Sequence, residues 1–293
     1  MKPFTIEKPG SLLKELFSRF SDQKKTRIRQ LLQHGTVLVN GKQITLHSHP
    51  LKPGDKVSFL TVKESKSIEQ KASLPFRIVH EDEDLLVVEK PEGLLTISTE
   101  TERENTLYFA VTDYVRSTHP ARRGRVFIVH RLDRETSGLL VFAKKEEIKQ
   151  ALQENWKQVM KEYTAVVEGI PEKKEETLRS RLKEDKFRRV YEAGESDQRA
   201  QEAMTAYRTL SSGNGFSLLQ VRLLTGRKNQ IRVHLASIGH PVAGDFKYGA
   251  QSDPIGRLAL HASKLEFVHP STGARLQFRS PAPDEFGALV KRS

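Results

Sequence analysis

Between positions 11 and 34 the apolar residues recur at spacings of three and four: Leu12, Leu13, Leu16, Phe17 and Phe20, then Ile28, Leu31 and Leu32. That period predicts two short amphipathic helices, and Ser21 or Asp22 in the break between them can cap the second. The pattern then changes to alternation. Val37, Leu38 and Val39 precede Asn40-Gly41 and Lys42-Gln43-Ile44, a hairpin signal because both central residues of a type I′ turn take positive φ. Pro53-Gly54-Asp55 supplies another turn before a strand at 56–60. Residues 61–75, rich in Lys, Glu, Ser and Gln, have no apolar period and read as a linker. Beyond them come short β-like runs at 76–79, 85–88 and 139–143, broken by turns, as in a mixed domain rich in strands. Glu172 to Glu202 is densely charged and reads as a solvated, partly mobile excursion, or as part of a substrate-contact surface.

The chain has 293 residues, 37% of them hydrophobic and 29% charged, enough for two packed domains. No apolar run approaches the roughly 20 residues a membrane-spanning helix needs, and the first ten residues carry charges and two prolines where a signal peptide would be apolar. A cytoplasmic protein is therefore expected. Net charge is +12, and residues 1–75 hold 14 Lys and Arg against 6 Asp and Glu. That imbalance in a small module suits a polyanion, nucleic acid before an anionic membrane surface. With no cysteine, disulfides, thiolate catalysis and Cys-ligated metals are excluded. No phosphate-binding or dinucleotide fingerprint occurs, and His234 and His240 lack the spacing of a metal pair. No metal and no cofactor are expected, which leaves any chemistry to side chains alone.

The segment His130-Arg131-Leu132-Asp133-Arg134-Glu135-Thr136-Ser137-Gly138 is followed by an apolar strand. Two arginines flank Asp133 and favour its ionised form. A carboxylate on such a loop serves as nucleophile or general base, or as one half of a structural ion pair at the start of a strand. The haloacid dehalogenase pattern of a second acid two residues on is broken by Glu135-Thr136 after Arg134.

Five ordered stretches then resemble the RluA-type pseudouridine synthases. They are 81–94 with Lys90-Pro91-x-Gly93-Leu94; the 130–139 segment; Lys161-Glu162-Tyr163 with Ala165-Val166-Val167-x-Gly169; Thr225-Gly226-Arg227-Lys228-Asn229-Gln230-Ile231-Arg232-Val233-His234 with its sequel to Gly249; and Leu260-His261-Ala262 with His269-Pro270. Residues 10–60 resemble the alpha-L RNA-binding motif. The resemblance implies an α+β protein: a helix-and-hairpin RNA-binding domain at 10–60, a linker at 61–75 and a mostly antiparallel-sheet catalytic domain with a central cleft at 76–293. It implies cofactor-free isomerisation of uridine in RNA to pseudouridine, with ribosomal RNA as partner before transfer RNA, and a monomer.

By the same resemblance Asp133 is the essential aspartate, Tyr163 the tyrosine that lies against the base, and Arg232 the arginine that pairs with the aspartate in a bidentate fork. Arg131 would enter the RNA stack as the target base leaves it, and His130 would be structural. Lys24, Lys25, Arg27, Arg29 and Lys42 would face phosphates. Asn229 stands where the family commonly has histidine, so a changed contact is expected there. Read without the resemblance, Tyr163 suits an apolar core and Arg232 a surface. A non-catalytic RNA-binding assembly factor on the same fold is the competing function.

Overall fold

The computed structural model describes residues 1–33, 36–60, 74–118 and 125–291. They fall into two compact units, 1–74 and 75–293. The stretch read as a linker, 61–75, lies outside the described residues apart from its last two.

In the first unit, strands β1 (Phe4–Thr5), β3 (Val37–Val39), β4 (Lys42–Gln43) and β6 (Lys56–Phe59) form an antiparallel sheet in the order β1-β6-β3-β4. Strands β2 (Gly10–Ser11) and β5 (Pro50–Leu51) pair separately. Helices α1 (Leu12–Arg19) and α2 (Lys25–Gln33) send Leu12, Leu16, Ile28 and Leu32 into one core with Val37, Val39, Leu51 and Val57. The expected hairpin is present. Asn40 and Gly41 have φ of 52° and 79°, both positive as a type I′ turn demands. The cap of the second helix differs from expectation: α2 begins at Lys25, and the Asp22 carboxylate accepts a bond from the Gln23 amide at 2.7 Å. Both Ser21 and Asp22 lie too far ahead of that start to cap it.

The second unit is built on an eleven-stranded sheet. Its strands are β7 (Arg77–Glu81), β8 (Leu85–Lys90), β9 (Phe127–Ile128), β10 (Ser137–Ala143), β11 (Met160–Glu168), β12 (Glu175–Glu184), β13 (Val190–Ala193), β14 (Gln201–Gly213), β15 (Phe216–Leu223), β16 (Leu260–Val268) and β17 (Arg275–Arg279). The order is β13-β12-β14-β15-β11-β16-β10-β8-β7, with β9 on β10 and β17 on β16. Every pairing is antiparallel except β10 with β16. The helices are α3 (Leu107–Thr118), α4 (Glu146–Glu154), α5 (Gln230–Ser237) and α6 (Asp284–Leu289), with a 3₁₀ turn at Phe246–Tyr248. None of the described helices is long and apolar enough to cross a membrane.

All seven residues of β10 are buried, which matches its apolar run at 139–143, since a strand covered on both faces has no polar side to alternate. Ile148 and Leu152 of α4 pack over Leu139, Val141 and Ala143. The charged stretch 172–202 is a correction to the sequence reading. Three parts of it are sheet, β12, β13 and the start of β14, joined by turns at 185–189 and 194–200, because Leu182 and Val190 bury against Ala203, Val233 and Tyr248. The charges stand on exposed and half-buried positions of those strands and of the turns between them, solvated as expected.

Where β10 meets β16, Gly138 pairs with Ala262 at a φ of 113°. A Cβ at Gly138 would be driven into the Ala262 backbone. Gly138→Ala is therefore expected to destabilise the second unit by about 3 kcal/mol, from overpacking plus left-handed strain. Denaturant unfolding of the two proteins measures this, and a change under about 1 kcal/mol would show that the strands part without cost.

Candidate active site

The loop before β10 is fastened from three sides. The Thr96 hydroxyl donates to the Leu132 carbonyl at 2.7 Å and accepts from the Leu132 N–H at 3.2 Å. Lys90 is fully buried, and its ammonium donates to the carbonyls of Pro91, Leu94 and Arg134 at 2.8, 2.7 and 3.0 Å. Burial lowers that ammonium to a pKa of about 8, against the pull of Glu135 and Asp133. Arg134 is turned away from Asp133, donating to the Gly93 carbonyl and the Glu102 carboxylate at 3.0 and 2.8 Å. The backbone closes a turn from the Thr136 N–H to the Asp133 carbonyl at 3.2 Å. Asp133 thus projects from a rigid corner with its side chain 22% exposed.

Its partners come from the segment that opens α5. Thr225 and the Arg227 N–H donate to the Gln230 amide oxygen at 2.8 and 2.9 Å, and the Gln230 amide nitrogen donates to Met204 and Thr205. This buried, fully satisfied glutamine shapes the turn. Asn229 follows the turn in the left-handed region, at a φ of 52°, a conformation asparagine tolerates better than most residues. Its amide nitrogen donates to Asp133 Oδ2 at 2.6 Å, while its amide oxygen accepts from the Tyr248 hydroxyl at 3.1 Å. Asn229 therefore bonds the aspartate directly.

Arg232 requires a correction. Its bidentate fork is made with Asp245, Nε to Oδ2 at 2.6 Å and Nη2 to Oδ1 at 2.7 Å, both groups buried. Asp133 is reached only by the remaining nitrogen, Nη1, at 3.5 Å, and Glu135 by the same atom at 3.3 Å. The reason is geometric: α5 and the 3₁₀ turn face each other inside the unit, so the Nε–Nη2 edge of the guanidinium meets a carboxylate that water cannot reach. The Tyr248 ring lies 5.1 Å from the guanidinium; against the effect of burial, the bonds and charge of Asp245, then the charges of Asp133 and Glu135, hold Arg232 above its already high arginine pKa.

A cavity of about 520 Å³ opens beside Asp133, lined by Arg131, Tyr163, Arg232, Asn229, Trp156 and Lys161 among others. The structure therefore brings together Asp133, Tyr163, Arg232 and Arg131. Tyr163 stands on β11 with 8% exposure. Burial, and then the Asp133 charge, push its hydroxyl well above the usual tyrosine pKa. Arg131 is exposed at the mouth. His130 also lines the cavity: its Nε2 accepts from the Val141 N–H at 3.2 Å, its ring lies against Trp156 at 4.5 Å, and burial, then the Lys161 charge, keep it neutral with a pKa of about 3. His234 is likewise a satisfied core residue between Thr205 and Ser180. In the first unit Lys24, Lys25, Arg27, Arg29 and Lys42 are exposed, with Lys25 and Arg29 beside the Phe17 ring and Arg27 bonded to Gln23.

The Arg232–Asp245 pair is buried and the Arg232–Glu135 pair is not. Removing one partner of a buried pair strands a charge, so Asp245→Ala is expected to cost about 3 to 5 kcal/mol. Glu135→Gln should cost about 1 kcal/mol or less, as for an exposed pair. Urea unfolding compares them, and equal losses would mean that the fork does not carry the site.

Two family descriptions match the chain: RNA pseudouridylate synthase over residues 84–237 and S4 domain over residues 12–57. The uncharacterized RNA pseudouridine synthase YlyB of Bacillus subtilis is 34% identical over 293 residues, covering 97% of this chain and 94% of that protein. The ribosomal large subunit pseudouridine synthase D of Vibrio cholerae is 31% identical, covering 92% and 86%. Among solved structures, human RNA pseudouridylate synthase domain containing 4 shares the fold, with a TM-score of 0.61 at 24% identity over 76% of this chain and 94% of that one. The aspartate corner, the buried tyrosine and the arginine helix all lie within the matched region, and relatives at about a third identity run nearly the full length: the chain belongs to the RNA pseudouridine synthase family.

Proposed function

We propose that this protein isomerises uridine to pseudouridine in large-subunit ribosomal RNA, with Asp133 as the reacting carboxylate. The observation that carries this reading is the 2.6 Å bond from Asn229 to Asp133 at the wall of a cavity shared with Tyr163. A carboxylate fixed there, with Arg232 Nη1 at 3.5 Å, is aimed before substrate arrives, which is where positioning lowers a barrier. Tyr163, kept protonated, would lie against the pyrimidine. Arg131 at the mouth would occupy the gap left by the flipped base. The names of the large-subunit relatives support ribosomal RNA over transfer RNA.

The β12–β13 turn extends the proposed RNA path. Phe187 is 78% exposed, with the Lys186 ammonium 5.0 Å from its ring. Arg188 lines a second cavity together with Asp133, Arg131 and Lys247. An exposed ring among cations suits an unstacked base and its phosphates. In the S4 domain, the exposed Lys24, Lys25, Arg27, Arg29 and Lys42 would contact phosphates, adding affinity without sequence choice.

Asp133→Asn is nearly isosteric and removes the charge. Carbodiimide-block primer extension on unmodified ribosomal and transfer RNA is expected to show pseudouridine in ribosomal RNA with wild type, and a rate lowered about 10⁴-fold or more in the variant. Wild type acting on transfer RNA alone would overturn the substrate, and tight binding without modification of either would favour an assembly factor. Changing the five S4-domain cations to Gln should flatten the dependence of log affinity on log salt by about 3 to 4, since each phosphate neutralised on single-stranded RNA adds near 0.7 to that slope. An unchanged slope from filter binding would remove them from the RNA interface.

A further inference from the structure

Lys161 stands two residues before Tyr163 on β11, so the two side chains leave the same face of the strand, and both line the cavity beside Asp133. The residue is 6% exposed. Its ammonium donates one hydrogen bond, to the Trp156 carbonyl at 3.0 Å, and lies 5.5 Å from the Trp156 ring. Among the described residues no carboxylate pairs with it. Burial accordingly lowers its pKa, with no compensating charge.

The other cations of the cavity are placed differently. Arg232 is divided among Asp245, Asp133 and Glu135. Lys228 is paired with Glu184 and donates to the Arg188 carbonyl. Arg227 donates to the Glu202 carbonyl from an exposed position, and Arg131 is exposed. Lys161 is thus a buried cation with unused donors at the wall of the cavity. Such a group is costly unless a ligand brings it negative charge or strong acceptors.

The reaction supplies that charge. When the bond from C1′ to N1 breaks, its electron pair passes to the base, leaving a uracil anion with charge spread over N1, O2 and O4. C1′ is captured by the Asp133 carboxylate, which leaves again as the new bond forms, or C2′ passes a proton to that carboxylate and takes it back as C5 bonds to C1′. The base then turns, C5 bonds to C1′ and sheds its proton, and N1 takes one up. Atoms and charge balance without a co-reactant.

We propose that Lys161 is a catalytic residue of the base pocket, donating to the uracil anion while the base is detached from the sugar. This rests on the pseudouridine synthase reading. Donors placed where charge develops act in the transition state rather than in binding, so the lysine serves the chemical step and not RNA affinity.

The test uses the full-length protein and an RNA fragment that wild type modifies, transcribed with uridine or with 5-fluorouridine. Fluorine at C5 withdraws electrons and stabilises the detached ring, so cleavage depends less on the lysine. Loss of the N1-linked nucleoside is followed in single-turnover reactions by nucleoside digestion and chromatography. Lys161→Met is expected to slow the uridine reaction about 10²-fold, with RNA affinity within about twofold of wild type. On the fluorinated RNA its defect should shrink to about tenfold or less. Lys161→Arg, which keeps a cation, should recover most of the lost rate on uridine RNA.

The comparison is made within one variant, so a partly misfolded population lowers both rates equally and leaves the ratio intact. An equal loss on the two RNAs, total inactivity included, would make the lysine structural and overturn the proposal while the enzyme reading stood. A loss confined to RNA affinity overturns it as well. Failure of wild type to modify any of the uridine RNAs tried in choosing that fragment would sink the enzyme reading itself.

Discussion

A guanidinium held out of water must have its charge answered where it lies, and the site is organised around how Arg232 meets that demand. Asp245 occupies both flat donors of the fork, which ties α5 to the 3₁₀ turn. One nitrogen is left over, and it faces Asp133 and Glu135. Tyr248, from the same 3₁₀ turn, lies beside the guanidinium and donates to Asn229, which in turn holds Asp133. The circuit closes on itself. Displacing any member would leave a buried donor or acceptor unsatisfied, at a cost greater than the worth of the bond it made.

The other half of the site is anchored just as firmly. Lys90 gives its three donors to backbone carbonyls on both sides of the aspartate corner, and Thr96 clips Leu132 from the opposite direction. Behind them β10 is buried on both faces. A carboxylate placed by such a frame has little freedom left to lose on meeting a substrate. The uncharged Asn229 adds a bond that does not change with proton binding, so the aspartate's hydrogen-bonding partner is constant.

Much of the first unit could be read from the sequence because its determinants are local. Asn40-Gly41 fixes a turn by the φ those two residues accept, and the helical period fixes which face of α1 and α2 is buried. Prediction of the cap failed because a capping side chain must stand next to the helix start, and the start lies at Lys25. The 172–202 stretch resists reading for a different reason. A sheet with an exposed face can carry as many charges as a loop, and only Leu182 and Val190, buried by partners distant in the chain, separate the two. Tyr163 and Lys161 show the same limit, since alternation puts them on one face of β11 without saying that the face borders a cavity.

By itself the sequence determined the two-part organisation, the basic first unit, the family and which aspartate, tyrosine and arginine are candidates for the site, because residue type, local period and motif order suffice for those. Tertiary structure decided the pairings. Whether Arg232 forks onto Asp133 or onto Asp245, thirteen residues away, depends on which carboxylate the folded chain brings into the plane of the guanidinium at hydrogen-bond distance. That Asn229 grips the aspartate, and that Lys161 is buried with no counter-ion among the described residues, follow from the same cause. Hydrogen bonds and ion pairs act over a few ångströms, and sequence spacing does not fix separations on that scale between residues carried by different strands and helices.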